Sequence, residues 1–168
     1  MSTSSLLLSL FQYKAWANTE LFAELRKVDG EAHPAERHSA IRVLNHIHVV
    51  DRIFVAHLSG TPHTYTATNT PETPTLDELQ AAVSATDQWY IDHVRALTPG
   101  QLREPVSFTF TDGARGCMSR EEILLHVITH GGYHRGAVGQ TMRQASVAPP
   151  RDLFTRYLHI AEPERRER

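Results

Sequence analysis

The sequence holds a single cysteine, Cys117, so neither an internal disulfide nor a cysteine-only metal cluster can form within it. That scarcity fits a reducing setting, and the cytoplasm is the expected location. No apolar run approaches the roughly 20 residues that a membrane-crossing helix requires. Charge of one sign is also missing: the formal net charge is −2, with 17 basic and 19 acidic residues. Such a balance forces neither a nucleic-acid partner nor a membrane partner, and neither is expected. The apolar stretch from Ser4 to Phe11 has no basic segment before it. Lys14, Trp16, Asn18 and Glu20 follow it at helical spacing, so it reads as the first helix rather than a leader.

What the chain does have is an ordinary globular composition, 40% hydrophobic and 21% charged, in 168 residues. That length suits one domain, assigned to 1–162, able to bury about 68–70% of its unfolded surface. Residues 163–168 read as a charged, solvated tail.

Four long amphipathic segments occupy most of the domain. The first runs from about Ser5 to Val28, with Leu7, Leu10, Phe11, Ala17, Leu21 and Leu25 as its apolar stripe. The second follows His33-Pro34 and runs through Leu58 to a stop at Gly60, with Ile41, Leu44, Ile47 and Phe54 facing inward. A Thr- and Pro-rich stretch from Thr61 to Pro74 then reads as a connection. Thr75 and Glu78 form a capping box that opens the third helix, which continues to about Leu97. Its core candidates are Leu79, Val83, Trp89 and Val94. Pro99-Gly100 closes it.

Between Leu102 and Met118 the period changes. Val106, Phe108 and Phe110 alternate with hydroxyl side chains, and Asp112-Gly113 signals a hairpin turn. Ser119 and Glu122 make a second capping box, starting a fourth helix that ends near Gln144. Arg151 to Ile160 reads as a short final helix. Four apolar stripes must find partners, so the expected class is an all-α four-helix bundle carrying a small hairpin excursion. The pattern alone leaves the order of the helices around the bundle open.

Within the fourth helix, His130 and His134 lie one turn apart and leave the same face, so both imidazoles can converge on one ion. A third ligand must come from elsewhere. His46 and His48 sit in the core stripe of the second helix, and their spacing allows only one of them to point inward. Three neutral imidazoles would suit zinc, nickel, copper or iron and leave room for water or substrate. Asp51 could orient a ligand from behind, or could equally form an interhelical salt bridge. His126 extends the histidine series by one turn, as a base behind the ligands or a residue at the helix entrance, with direct ligation the lesser alternative. Tyr133 and Arg135 are candidates for substrate contact, and Arg135 has a packing role as its alternative. Gly131, Gly132, Gly136 and Gly139 are costly in a helix, about 0.8–1.0 kcal/mol each against Ala. Close helix contacts or a bend would account for them. Cys117 reads as a small loop or buried side chain.

At these residues the chain resembles the DinB-like family, the damage-inducible DinB/YfiT-like metalloproteins. The resemblance rests on Leu44-Asn45-His46-Ile47 with Asp51, and on His130-Gly131-Gly132-Tyr133-His134-Arg135-Gly136 continuing through Gln140. It spans about Leu6 to Arg143. It implies an antiparallel bundle with long crossing connections, often a homodimer. It maps the metal ligands to His46, His130 and His134 and implies a divalent metal, commonly zinc or nickel. Damage induction concerns gene expression and does not imply DNA binding. Some related families use the metal to activate a low-molecular-weight thiol for transferase or detoxification chemistry on a small-molecule substrate. The functional expectation is therefore a metal-dependent thiol transferase or hydrolase, with a non-enzymatic metal-binding stress-response protein as the alternative.

Overall fold

The computed structural model describes residues 2–164, so most of the tail expected at 163–168 falls outside the described residues. The elements in chain order are α1 (Thr3–Leu25), α2 (Pro34–Ser59), α3 (Leu76–Ala96), α4 (Pro99–Leu102), β1 (Pro105–Thr109), β2 (Arg115–Ser119), α5 (Arg120–Gln144) and α6 (Phe154–Ala161).

Helix starts follow local chemistry. The Ser2 hydroxyl accepts from the Ser5 amide at the start of α1, and Pro34 opens α2 where a missing amide costs nothing. Both capping boxes close, Thr75 with Glu78 and Ser119 with Glu122, each typically contributing about 1 kcal/mol. Gly60 ends α2 in the left-handed region at φ 66°, a conformation that disfavours other residues. One element was not anticipated. Pro99-Gly100 does not simply close α3; it begins the one-turn helix α4, capped by Thr98 and Gln101.

Packing is most extensive between α2 and α5 and between α1 and α3, while α1–α5 and α2–α3 close the ring. The side-chain pairs fix the directions. Arg26 at the end of α1 meets Asp77 in the first turn of α3, and Lys14 meets Asp87 further along, so these helices run antiparallel. Arg120, at the start of α5, donates to the Leu58 carbonyl at the end of α2 at 2.9 Å, while His46 faces His130, so this pair is antiparallel too. Arg37 near the start of α2 donates to the Val28 carbonyl just beyond α1. Hence α1 and α2 run in opposite directions, and α2 lies parallel to α3. The connection from 60 to 75 must then travel back along α2. A 26-residue helix is about 39 Å long, and 16 extended residues reach about 53 Å, which suffices.

The hairpin pairs Val106 with Met118 and Phe108 with Gly116. Phe108 is buried against Phe54 and His57, and a Cβ on Gly116 would lie 2.8 Å from the Phe108 ring. Only glycine fits there without displacing that ring.

Two apolar clusters make up the core. One gathers Phe11, Phe54, Tyr90 and Ile123; the other gathers Leu25, Leu44, Leu79 and Met142. Between them lies a polar layer. Lys14, fully buried, donates to Asp51 at 2.8 Å and to Asp87 at 2.6 Å, and Asn18 donates to Asp87 at 2.7 Å. Trp89, expected in the core, is only half-buried; its neighbour Tyr90 takes that place, stacked on Phe11 with its hydroxyl donating to the Asp51 carbonyl.

The α5 glycines differ in purpose. A Cβ on Gly131 would lie 3.2 Å from Arg135 and 3.4 Å from Lys14, and one on Gly139 would lie 3.2 Å from Pro149. Gly136 faces open space. Gly136→Ala should therefore raise stability by up to about 1 kcal/mol in denaturant unfolding, the ordinary helix-propensity gain. Gly131→Ala should forfeit that gain to crowding.

Candidate metal centre

His46 on α2 and His130 and His134 on α5 each offer one ring nitrogen, and the three atoms lie within 4.8 Å of one another. The helix spacing places His130 and His134 on one face of α5, and the tight α2–α5 packing brings His46 across to them. Their rings stand at 4.5 Å (His130–His134), 4.7 Å (His46–His134) and 5.0 Å (His46–His130) between centroids. The Nε2 atoms of His46 and His130 approach to 3.1 Å.

The connection after α2 supplies the element that the sequence did not reveal. The His46 Nδ1 lies 2.7 Å from the carbonyl oxygen of Thr68. A carbonyl only accepts, so Nδ1 carries the proton and Nε2 presents its lone pair to the other histidines. The same connection is tied to α2 by Asn45, which donates to the side chains of Asn69 and Thr70, and by Arg42, which donates to the Thr70 carbonyl. Asn69 in turn donates to the Arg42 carbonyl at 3.0 Å. The signal available in the sequence was slight: Asn69-Thr70 in a loop, opposite Arg42 and Asn45 on one helix face. Asn69→Ala should loosen Thr68 from His46 and weaken zinc binding by about 10–100-fold, the usual effect of losing a group that orients a ligand. Competitive titration against a chromophoric chelator would measure this.

Electrostatics favour neutral donors. Burial, with the neighbouring imidazoles of His134, His46 and His126 adding to it, pushes His130 down to about 3. His134 is lowered by burial and then by His46. Neutral imidazoles are what a metal needs, so the donor set fits a divalent ion of the zinc or nickel kind.

The remaining candidates are placed elsewhere. His48 lies outside the cluster; burial, then Arg52 and Lys14, depress it to about 4. Asp51 belongs to the buried Lys14–Asp87 layer, the salt-bridge alternative, and burial raises it to about 6 against the pull of Lys14. Arg135 is buried with its Nε 2.7 Å from Asp152, and Tyr13 donates to the same carboxylate, which is the packing alternative for this arginine. Tyr133 is 78% exposed and touches the ring of His134 edge-on. Cys117 is exposed on β2, in register with Ser107. His126 stacks on His130 at 5.4 Å and lines a cavity beside the cluster.

These shifts give a pH dependence to the metal-free protein. Each histidine held below its ordinary value stabilises the fold fully above about 6.5, and that stability is lost as pH falls toward the folded value. Asp51, raised to about 6, acts the other way between its ordinary value and 6. His57, His93 and His126 are also lowered by burial, so the histidines outnumber it. Urea unfolding of chelator-treated protein should show a midpoint that falls steadily from pH 7 to pH 4.

The cavity of about 210 Å³ opens against His46 and His130. Val50, Ile53 and Phe54 wall it from α2, with Phe110 and Thr111 from the hairpin.

A four-helix bundle with two parallel neighbouring pairs, α1–α5 and α2–α3, a crossing connection and three converging histidines defines the class of protein. The DinB family pattern matches residues 1–167, and the chain belongs to that family. It is similar to the protein DinB of Bacillus subtilis (strain 168), 24% identical over 166 residues that cover 93% of this chain and 95% of the relative. Among the described residues no helix is long and apolar enough to cross a membrane.

Proposed function

We propose that this chain is a divalent-metal-dependent enzyme whose ion, zinc or nickel, is held by His46, His130 and His134. When bound, the ion would lower the pKa of a low-molecular-weight thiol or of water and so supply a nucleophile for transfer or hydrolysis. The observation that carries this reading is the number of donors and their outlook. A closed structural site uses four protein ligands, whereas the cluster found here has three histidines with a cavity beside them. The protein's own residues have separable tasks. Thr68 fixes the tautomer of His46, burial keeps His130 neutral, and the hairpin lines one side of the cavity with Phe110 and Thr111. His126, also held neutral by burial, stands on the cavity wall where it could accept a proton.

Metal-edge anomalous diffraction on protein purified without chelator, paired with elemental analysis, tests the first half. A peak about 2.0–2.2 Å from one nitrogen of each histidine supports it. No peak in metal-replete buffer removes it. Turnover of thiol acceptors or esters by the loaded protein tests the second half. A loaded protein that turns over none of them would be a non-enzymatic metal binder.

A further inference from the structure

The cavity beside the histidines has a chemical character that the proposed activity does not require. Its α2 wall is built from Val50, Ile53 and Phe54, each less than 10% exposed. Phe110 joins them from the hairpin, and among the described residues none that lines the cavity is Asp, Glu, Lys or Arg. A carboxylate, phosphate or ammonium placed against this wall, away from the histidine cluster, would lose its hydration and meet no charged side chain. The polar body of a peptide-like or sugar-like thiol would be as poorly served. Rings dominate the wall: Phe54 meets His126 at 5.1 Å and His57 at 5.8 Å, both edge-to-face. Faces and edges of this kind accept a further ring in offset or T-shaped contact. The volume, about 210 Å³, can be compared with the roughly 150 Å³ apolar cavity that holds benzene. The difference leaves space for a short substituent.

We infer that this cavity binds an uncharged, single-ring apolar compound whose short substituent reaches the histidine cluster. The ring lies between the α2 wall and Phe110, and the substituent ends beside the Nε2 atoms of His46 and His130. The ring part of this assignment stands on the cavity alone; the substituent part rests on the metal reading given above. The compound therefore supplies the apolar partner of the reaction, and a polar thiol co-substrate must approach from outside the cavity.

Two titrations separate these parts. In the first, toluene is added to chelator-treated protein and followed by amide chemical shifts. Saturable shifts confined to residues around 50–57, 110–111 and 126–130 are expected. Ile53→Trp, which fills the cavity, should weaken toluene binding at least tenfold. Thr111→Trp, approaching from the hairpin side, should do the same, and serves if the Ile53 variant fails to fold by circular dichroism. Shifts that do not saturate, or that centre elsewhere, overturn the assignment. In the second, zinc-loaded protein is titrated calorimetrically with benzyl mercaptan and with 2-mercaptoethanol. Binding of the aromatic thiol at least tenfold tighter supports the proposal, and equal affinities overturn it. If toluene binds but zinc does not, the metal reading falls and the ring assignment stands. If zinc binds but toluene does not, the reverse holds.

Discussion

Replacing Lys14 by Met is expected to destabilise the protein by about 3–5 kcal/mol at pH 8, the cost of leaving buried charge unpaired. Lys14 is fully buried and is the hydrogen-bonding cation shared by Asp51 and Asp87, at 2.8 and 2.6 Å. Burial alone would lower its pKa, yet the two carboxylates hold it above the ordinary value, so the ammonium stays charged. Without it, two carboxylates face each other between the apolar clusters. Asn18 still donates to Asp87, but one Asp51 oxygen already lacks a partner. Asp51 therefore takes up a proton first, being already raised to about 6. Its folded-state pKa would rise further in the variant, so stability should recover as pH falls toward 5. Urea unfolding at pH 8 and pH 5 would read this directly. A loss equal at both pH values would show that missing packing, not charge, causes it. Combining Lys14→Met with Asp51→Asn and Asp87→Asn should regain much of the loss, since the uncompensated charge is then gone.

The same layer shows what was legible in the sequence and what was not. Helix positions and their caps were readable because they depend on local signals, Thr75 with Glu78 and Ser119 with Glu122. The histidine pair on α5 was readable from its one-turn spacing. Harder was the interruption of the apolar stripes. In α1 the buried positions run Leu7, Phe11, Lys14, Asn18, Leu21 and Leu25, an unbroken helical stripe with two polar members. Asp51 falls between Ile47 and Phe54 in α2, and Asp87 between Val83 and Tyr90 in α3. Gly131 and Arg135 fall between Val127 and Val138 in α5. Each alone reads as a surface residue or a salt bridge. Only their recurrence at mid-stripe in all four helices marks a buried polar layer, and pairing them requires knowing which helices are neighbours. The Thr68 carbonyl was illegible for a different reason. A backbone atom carries no residue signature, and its placement depends on the connection running back along α2. Arg135 stayed open between substrate contact and packing because its partner, Asp152, lies 17 residues away in a segment that carries no pairing signal.

His130→Ala should abolish the stabilisation that zinc confers, while leaving the metal-free fold intact. In the metal-free protein His130 contributes little of its own. Its Nδ1 is buried without a partner, and its Nε2 can only share a proton with His46 at 3.1 Å. Removing it relieves that unsatisfied nitrogen while losing some packing, effects of similar size and opposite sign. For binding the balance is different. One of three donors is gone, and the remaining pair, His46 on α2 and His134 on α5, is left with its ring centroids 4.7 Å apart. The affinity loss should exceed the about 10–100-fold that follows from disturbing a group behind a ligand. Linkage makes this visible as stability: zinc at a hundred times its dissociation constant adds about 2.7 kcal/mol to the parent protein. The variant at the same zinc concentration should gain almost none of it. His48→Ala, altering a histidine outside the cluster, should keep the full gain. Chemical unfolding with zinc or with chelator, run on all three proteins, compares the gains. A His130→Ala protein stabilised as strongly as its parent would place the ion elsewhere, and a His48→Ala protein that lost the gain would place it on the other face of α2.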